Sequence, residues 1–196
     1  MKDDTELVII IDRSGSMHGL ENDVIGGFNT LLQDQAKQGK TSVTTIFFNQ
    51  TATYVHEGED ISNVQPLTAS AYRPSGTTAL LDTVGDAIAY IKAKHARLSQ
   101  DELPEHTIFS IMTDGLENAS KEYTYERVKT MIEMQKKCGW DFLFQAANID
   151  VAKEGDKLGI DPTMRFSFMA VPGEVQRQMS EASSIISARR KTSPKK

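Results

Sequence analysis

The feature that constrains the fold most is the run of five apolar residues at 7–11, LVIII, which ends directly on Asp12. A continuous apolar run of this length predicts a short strand covered on both faces, and such strands are typical of parallel sheets between two helix layers. The polar segment DRSGSM follows at once, where that buried strand would reach the edge of the sheet. The run therefore predicts an α/β fold and marks the edge where a functional site is expected.

Strand-like and helix-like patterns alternate along most of the chain. Short runs rich in β-branched and aromatic residues predict the strands ELVIII, SVTTIFFN, ATYVHEG, HTIFSIM, DFLFQAA and MRFSFM. Apolar residues spaced by three and four predict helices over Leu20–Lys37, from Leu80 to Ile91, from Val128 to Gln135 with Thr124 as N-cap, over Val151–Leu158, and from Pro172 onward. This order predicts a doubly wound, Rossmann-like, mostly parallel six-stranded sheet. We expect one antiparallel edge strand and helices on both faces.

Length and charge indicate one domain with a short extension. A chain of 196 residues without repeats or linkers predicts a single domain over 1–188. The last eight residues, RRKTSPKK, carry five basic groups and no acid, which predicts a disordered basic tail at 189–196. The net charge of −5 disfavours non-specific binding to nucleic acid.

Cysteine usage and the N-terminal sequence bear on the cellular compartment. Cys138 is the single cysteine, which excludes an intrachain disulfide. The N-terminal segment MKDDTE lacks the basic region and cleavage site of a secretion signal, and no apolar run approaches a membrane span in length. These features predict a cytoplasmic protein with no membrane span.

Oxygen-bearing side chains gather where the predicted strands end. They are Asp12, Ser14 and Ser16 after the first strand, Thr77 and Thr78 before the helix near Leu80, and Asp114 after HTIFSIM. Two carboxylates and several hydroxyls suit a hard divalent cation, so we expect Mg²⁺, with Mn²⁺ or Ca²⁺ as alternatives. Because this ligand set is sparse, it leaves a coordination position for an acidic group of another molecule.

Three segments resemble the von Willebrand factor A domain family, which includes integrin I domains and many bacterial members. They are DRSGSM at 12–17, SGTTALLDTV at 75–84 and IMTDGLEN at 111–118, and together they are similar to the metal-ion-dependent adhesion site of that family. The resemblance covers residues 5–188 and implies the same α/β fold. The metal ligands that it implies are Asp12, Ser14, Ser16, Thr78 and Asp114.

The resemblance also implies a function. In the family the serines and the threonine bind the ion directly, and one or both aspartates bind through water. Thr78 is preferred to Thr77 because Val84, six positions on, then falls where the family's helix begins to bury itself. We therefore expect a stand-alone, bacterial-type module that captures an Asp or Glu of a partner protein. By family analogy the partner is an AAA+ ATPase or a component of an assembly or stress system.

Several surrounding residues are candidates for a rim that contacts the partner. They are Arg13, His18, Arg73, Thr77, Gly115 and Asn148. Arg13, His18 and Arg73 have an ordinary alternative interpretation as solvated residues. Asn148 ends a neighbouring strand, where it would shape the groove, and Asp150 is expected to cap the following helix.

The main alternative is a magnesium-dependent hydrolase or phosphatase-type enzyme that uses the same strand-end site. Phosphoryl-transfer sites of that kind place a second carboxylate two residues after the first, where this chain has Ser14. The sequence contains no GxxxxGK[ST] or GxGxxG motif, and RSGSM does not match GxSxG. We therefore expect no enzyme. A scaffold with this fold and no ion is a third interpretation.

Overall fold

The structure, a computed structural model, describes residues 4–192. Within that range the strands are β1 (Thr5–Asp12), β2 (Thr41–Phe48), β3 (Ala52–Asp60), β4 (His106–Thr113), β5 (Asp141–Ala147) and β6 (Arg165–Phe168). The helices are α1 (Glu21–Ala36), α2 (Leu80–His95), α3 (Tyr125–Lys137), α4 (Val151–Leu158) and α5 (Glu174–Arg190). Single 3₁₀ turns cover Gly15–Met17 and Pro162–Met164.

The six strands form one sheet in the order β3-β2-β1-β4-β5-β6. All neighbouring pairs are parallel except β2 and β3, which are antiparallel and place β3 at the edge. Every residue of β1 is buried, as the LVIII run predicts, because the strand pairs on both sides and is covered on both faces. The doubly wound fold with one antiparallel edge strand is confirmed.

The helices cover both faces of the sheet in two groups. In one group α1 packs against α5, and in the other α3 contacts both α2 and α4. The stripes predicted for α1 and α2 are buried, as shown by Phe28 and Leu31 on α1 and by Val84 and Ile88 on α2. The caps predicted for α3 and α4 are also present. Thr124 accepts a hydrogen bond from Arg127 N, and Asp150 accepts from the first residues of α4.

Two predictions at the C-terminus are wrong. Helix α5 begins at Glu174 rather than at Pro172, because Gly173 has a φ of +88°, which lies outside helical geometry. The basic tail does not begin at 189, because the helix continues through Arg190. Arg189 pairs with Asp141 of β5, and Arg190 is buried, with its guanidinium donating to Thr41 Oγ1 at 2.9 Å. Residues 193–196 of the predicted tail lie outside the described residues.

Two adjacent glycines of α1 give a matched test of how closely α1 and α5 approach. A Cβ on Gly27 would lie 2.7 Å from Met179 Sδ and 3.0 Å from Met179 Cβ, whereas a Cβ on Gly26 would meet its nearest neighbour, Gln176 Nε2, at 3.5 Å. We expect Gly26→Ala to raise the free energy of unfolding by about 0.5–1 kcal/mol, since alanine favours the helix. We expect Gly27→Ala to lower it by about 1–2 kcal/mol, since the two helices must separate. Urea unfolding measures both, and changes of the same sign would contradict the close approach.

Within residues 4–192 no helix is both long enough and apolar enough to cross a membrane.

Candidate metal centre

Asp12 is the last residue of β1 and brings a buried carboxylate to the carboxyl edge of the sheet. Its Oδ1 accepts a hydrogen bond from the backbone N–H of Ser14 at 2.7 Å, because the chain turns back over the strand end. Its Oδ2 accepts one from Thr113 Oγ1 of the neighbouring strand β4 at 2.6 Å. Both oxygens are therefore held in place by short bonds from two different strand ends.

The two serines connect Asp12 to the second carboxylate. Ser14 Oγ lies 3.1 Å from Ser16 Oγ, and Ser16 Oγ donates to Asp114 Oδ1 at 2.6 Å. Asp114 follows β4 and is buried, with 2% of its surface exposed. The loops after β1 and β4 therefore bring hydroxyl and carboxylate oxygens to one point.

Thr78 joins this cluster from the loop before α2. Thr78 is buried, and a Cβ built on Gly115 would lie 3.7 Å from Thr78 Oγ1 and 3.9 Å from Ser16 Oγ, so both hydroxyls lie beside Gly115. Thr77 is exposed, and its N–H donates to Gln50 Oε1 at 3.4 Å. The structure thus places the Thr78 hydroxyl beside that of Ser16, whereas Thr77 is exposed and bonds through its backbone to Gln50.

The two buried carboxylates have no cationic partner in the described part of the chain. Burial raises the pKa of Asp12, although hydrogen bonds from Thr113 and Ser14 oppose this and the charge of Asp114 adds to it. Burial also raises the pKa of Asp114, against the hydrogen bond from Ser16. Asp114 Oδ2 is fully buried and has no hydrogen-bond partner within residues 4–192. Such a pair is costly to keep charged without a cation, because each ion has lost its hydration.

The chemistry of the donors fits a hard divalent cation. The cluster offers two carboxylates and three hydroxyls, all oxygen, and Mg²⁺ and Mn²⁺ favour such ligands. The described residues contain no group of three or more His, Cys, Asp or Glu side chains placed to hold a metal. A metal site here would therefore depend on hydroxyl ligands in addition to its carboxylates.

Two acidic side chains hold the loop that follows Asp114 against the start of α2. Asp82 accepts backbone hydrogen bonds from Lys121, Glu122 and Tyr123 at 2.8–2.9 Å. Glu117 accepts from the N–H groups of Leu81, Ala119 and Ser120 at 2.7–2.9 Å. Neither role was predicted from the sequence. Because the same loop carries Asp114 and Gly115, these bonds position the centre indirectly.

Two further supporting residues were also missed from the sequence. Thr113 reads as an ordinary strand residue, yet its hydroxyl donates to Asp12. Tyr72 lies in a stretch without clear periodicity, yet its ring is buried against Phe47 and its hydroxyl donates to the Asp12 carbonyl at 2.5 Å. Burial and the neighbouring acids raise the pKa of Tyr72, so its hydroxyl stays a donor. No local sequence signal marks either residue.

The predicted rim residues are spread around the cluster. Arg13 is half-buried, and its Nη2 donates to Thr53 Oγ1 on β3 at 2.7 Å. His18 is exposed, with Nδ1 at 3.3 Å from Glu21 Oε1. Arg73 is exposed, and Gly115 is half-buried beside the hydroxyls. Asn148 follows β5 with a φ of +58°, and its Nδ2 lies 3.5 Å from the Asp114 carbonyl oxygen. Gly115 therefore lies beside the hydroxyls of the cluster, and Asn148 contacts the backbone of Asp114.

Comparison with protein-family models and with curated proteins finds no match.

Solved structures of low sequence identity share the fold. The vWF domain of the type V pili tip protein Mfa5 from Porphyromonas gingivalis matches with a TM-score of 0.69 and 10% identity, over 96% of each chain. The PilB minor pilin from Streptococcus sanguinis matches with a TM-score of 0.68 and 15% identity, over 94% of this chain but only 61% of the pilin. The manganese-loaded TRAP protein of Plasmodium vivax matches with a TM-score of 0.65 and 16% identity, over 96% of this chain and 74% of TRAP. The chain therefore has the von Willebrand factor A fold.

Proposed function

We propose that the protein is a binding module that uses a divalent cation to capture an acidic side chain of a partner protein. The residues that would hold the cation are Asp12, Ser14, Ser16, Thr78 and Asp114. The observation that carries the proposal is the pair of buried carboxylates without a cationic partner, one of which has a buried oxygen with no hydrogen bond. A cation bound there supplies an open coordination position for an anionic oxygen, and a carboxylate of another protein fits that position.

The proposed cation is Mg²⁺, with Mn²⁺ or Ca²⁺ as alternatives. A protein with the same fold, TRAP, has been solved in a manganese-loaded form, which supports a divalent ion in a site of this kind. An AAA+ ATPase partner and a cytoplasmic location stay predictions, and so does contact between the partner and Arg13, His18, Arg73, Thr77, Gly115 and Asn148.

The arrangement of the hydroxyls favours binding over hydrolysis. Ser14 Oγ is hydrogen-bonded to Ser16 Oγ, and Ser16 Oγ donates to Asp114 Oδ1, so within residues 4–192 neither hydroxyl donates to an imidazole. The nearby imidazole of His18 pairs with Glu21, on the solvent side of the loop. The solved relatives include a minor pilin and a pilus tip protein, which also supports a role in binding.

Isothermal titration calorimetry with Mg²⁺ and Mn²⁺, followed by a pull-down with and without EDTA, tests the proposal. We expect wild-type protein to bind either ion at one site and Thr78→Ala to bind at least tenfold more weakly, because one hydroxyl ligand is lost. The partner should be released by EDTA and should fail to bind Thr78→Ala. Thr77→Ala is the matched control, since Thr77 is an exposed neighbour whose backbone N–H bonds to Gln50. Equal recovery of the partner with and without EDTA would contradict the proposal.

A further inference from the structure

Three of the most exposed large apolar side chains in residues 4–192 lie at the same edge of the sheet as the candidate metal centre. Four large apolar side chains of the described residues are strongly exposed: Leu116 (55%), Met134 (52%), Met169 (63%) and Val171 (44%). Leu116 follows β4, and Met169 and Val171 follow β6, so three of the four lie at the carboxyl edge of the sheet. We call Leu116, Met169 and Val171 the apolar rim. Exposed apolar side chains that form one surface mark sites that bind another molecule, and these three share one edge of the sheet.

The strand register places the apolar rim in line with the metal centre. Thr113 of β4 pairs with Ala146 of β5, and Ala147 pairs with Phe168 of β6. Asp114, Ala147 and Phe168 therefore lie at the same level on three adjacent strands. The hydrogen bond from Asn148 Nδ2 to the Asp114 carbonyl connects the first two of these strand ends. Neighbouring strands lie about 4.8 Å apart, so the end of β6 lies roughly 10 Å from the end of β4.

The segment of the rim after β6 is uncharged and anchored. Residues 169–173 read MAVPG, and no side chain among them carries a charge or a hydrogen-bonding group. Val171 N donates to the Met169 carbonyl at 2.8 Å, and Gly173 N donates to the Asp23 carboxylate of α1. Ala170 of this segment and Ile149 after β5 are partly buried and pack against the hydrophobic core. The apolar side chains are thus presented to solvent on a segment that continues from a paired strand at one end and is bonded to α1 at the other.

The opposite side of the centre is polar, so the edge is asymmetric. There Arg13 bonds to Thr53, and Gln50 accepts a hydrogen bond from Thr77. A partner that places a carboxylate at the centre and an apolar side chain on the β6 side would satisfy both kinds of surface. A partner in the reverse orientation would bury its apolar group against polar atoms, which is unfavourable.

We propose that the apolar rim binds a large apolar side chain of the same partner segment whose carboxylate completes the metal centre. This inference rests on the proposed function. An extended chain advances about 3.3 Å per residue, so a separation of about 10 Å corresponds to roughly three residues. The ligand class is therefore an extended segment with an Asp or Glu and a Leu, Ile, Phe or Met about three positions away.

A displayed library of random decapeptides tests this ligand class. Peptides are selected on wild-type protein in Mn²⁺ and eluted with EDTA, and the best one is labelled and measured by fluorescence anisotropy. We expect enriched sequences to combine an acidic residue with a large apolar residue about three positions away. Replacing that apolar residue by Ser should weaken binding at least tenfold, and replacing the acid by its amide should abolish it.

The double variant Leu116→Ser, Met169→Ser makes the matching change in the protein and so completes a double-mutant cycle with the peptide. We expect it to lose the same factor in affinity and to become insensitive to the Ser replacement in the peptide, because the two changes remove one contact. Its Mn²⁺ titration should match that of wild-type protein. Met134→Ser is the matched control, since it removes an equally exposed apolar side chain from α3.

Two outcomes would overturn the inference. EDTA-eluted peptides with no apolar preference, or with unchanged affinity for the double variant, would refute the apolar rim and leave the metal-dependent function standing. Recovery of no EDTA-eluted peptide would also refute it. In that case the Mn²⁺ titration shows whether the metal centre fails as well.

Discussion

Saturating Mn²⁺ is expected to raise the melting temperature of this protein by roughly 5–10 °C relative to EDTA. An ion present at one hundred times its dissociation constant stabilises the folded state by about 2.7 kcal/mol, provided that the unfolded chain does not bind it. For a domain of this size, 1 kcal/mol corresponds to about 2–4 °C. The physical source of the effect is the buried pair Asp12 and Asp114, whose charges no basic side chain offsets in the described residues.

The Asp114→Asn variant should differ from wild type in opposite directions in EDTA and in Mn²⁺. In EDTA we expect it to melt at or above the wild-type temperature, because it removes a buried charge. The corresponding gain in the free energy of unfolding is up to about 1–2 kcal/mol. The amide oxygen can still accept the hydrogen bond from Ser16. In Mn²⁺ the variant should melt below wild type, because it has lost a metal ligand. A variant that was merely misfolded would melt lower under both conditions.

Differential scanning fluorimetry in EDTA and in Mn²⁺ measures both effects. Asp34→Asn is the matched control, since its exposed carboxylate lies near the end of α1 and pairs with Lys37 at 3.1 Å. Loss of that surface pair should change stability by less than about 1 kcal/mol. Wild-type melting curves that coincide in EDTA and Mn²⁺ would show that no ion binds at the carboxylate pair.

The fold was predictable because its main signals are local. The LVIII run marks a central strand without reference to any distant residue, and the stripes of α1 and α2 follow from spacing within one helix. The same is true of the caps at Thr124 and Asp150, where a side chain bonds its own helix. The start of α5 was harder to predict. Proline at 172 suits a first turn, but Gly173 has a non-helical conformation, so the helix begins only after it.

The site was predictable only in part. Asp12, Ser14 and Ser16 lie in one short motif, and the strand order brings Asp114 beside them, so the topology alone places these oxygens at one edge. Tyr72 could not be found, because its bond to the Asp12 carbonyl joins residues 60 apart in a stretch with no periodicity. The prediction that the tail begins at 189 was wrong for a related reason. Arg190 reads as a solvated charge, and only the fold places Thr41 beside it.

Asp82 was missed for the same reason, and it is where we expect the largest effect outside the metal ligands. Its carboxylate accepts three backbone hydrogen bonds from residues 121–123, about forty positions away. These bonds attach the loop that carries Asp114 and Gly115 to the first turn of α2, two residues after Leu80. The same turn follows Thr78. Asp82 therefore connects the loop that carries Asp114 to the turn that follows Thr78, and both residues are proposed metal ligands.

Asp82→Ala is expected to lower the free energy of unfolding by about 2–3 kcal/mol, because hydrogen bonds to a charged acceptor contribute more than neutral ones. Lys121 and Glu122 are exposed residues, so their N–H groups can bond to water once the carboxylate is removed, which limits the loss. We also expect Mn²⁺ to bind roughly 10–100-fold more weakly, as is typical when a residue that orients metal ligands is removed. Urea unfolding in EDTA measures the first effect, and calorimetry at a temperature where the variant is folded measures the second.

The comparison with Asp82→Asn separates the role of the charge from that of the acceptor geometry. The amide keeps one acceptor oxygen, so it can retain part of the contact with residues 121–123 but not the charge. We expect it to fall between wild type and Asp82→Ala in both stability and Mn²⁺ affinity, while Asp34→Asn matches wild type in both. A variant Asp82→Ala that is destabilised but binds Mn²⁺ as tightly as wild type would show that the loop does not position Asp114. The three hydrogen bonds would then contribute to the stability of the fold but not to metal binding.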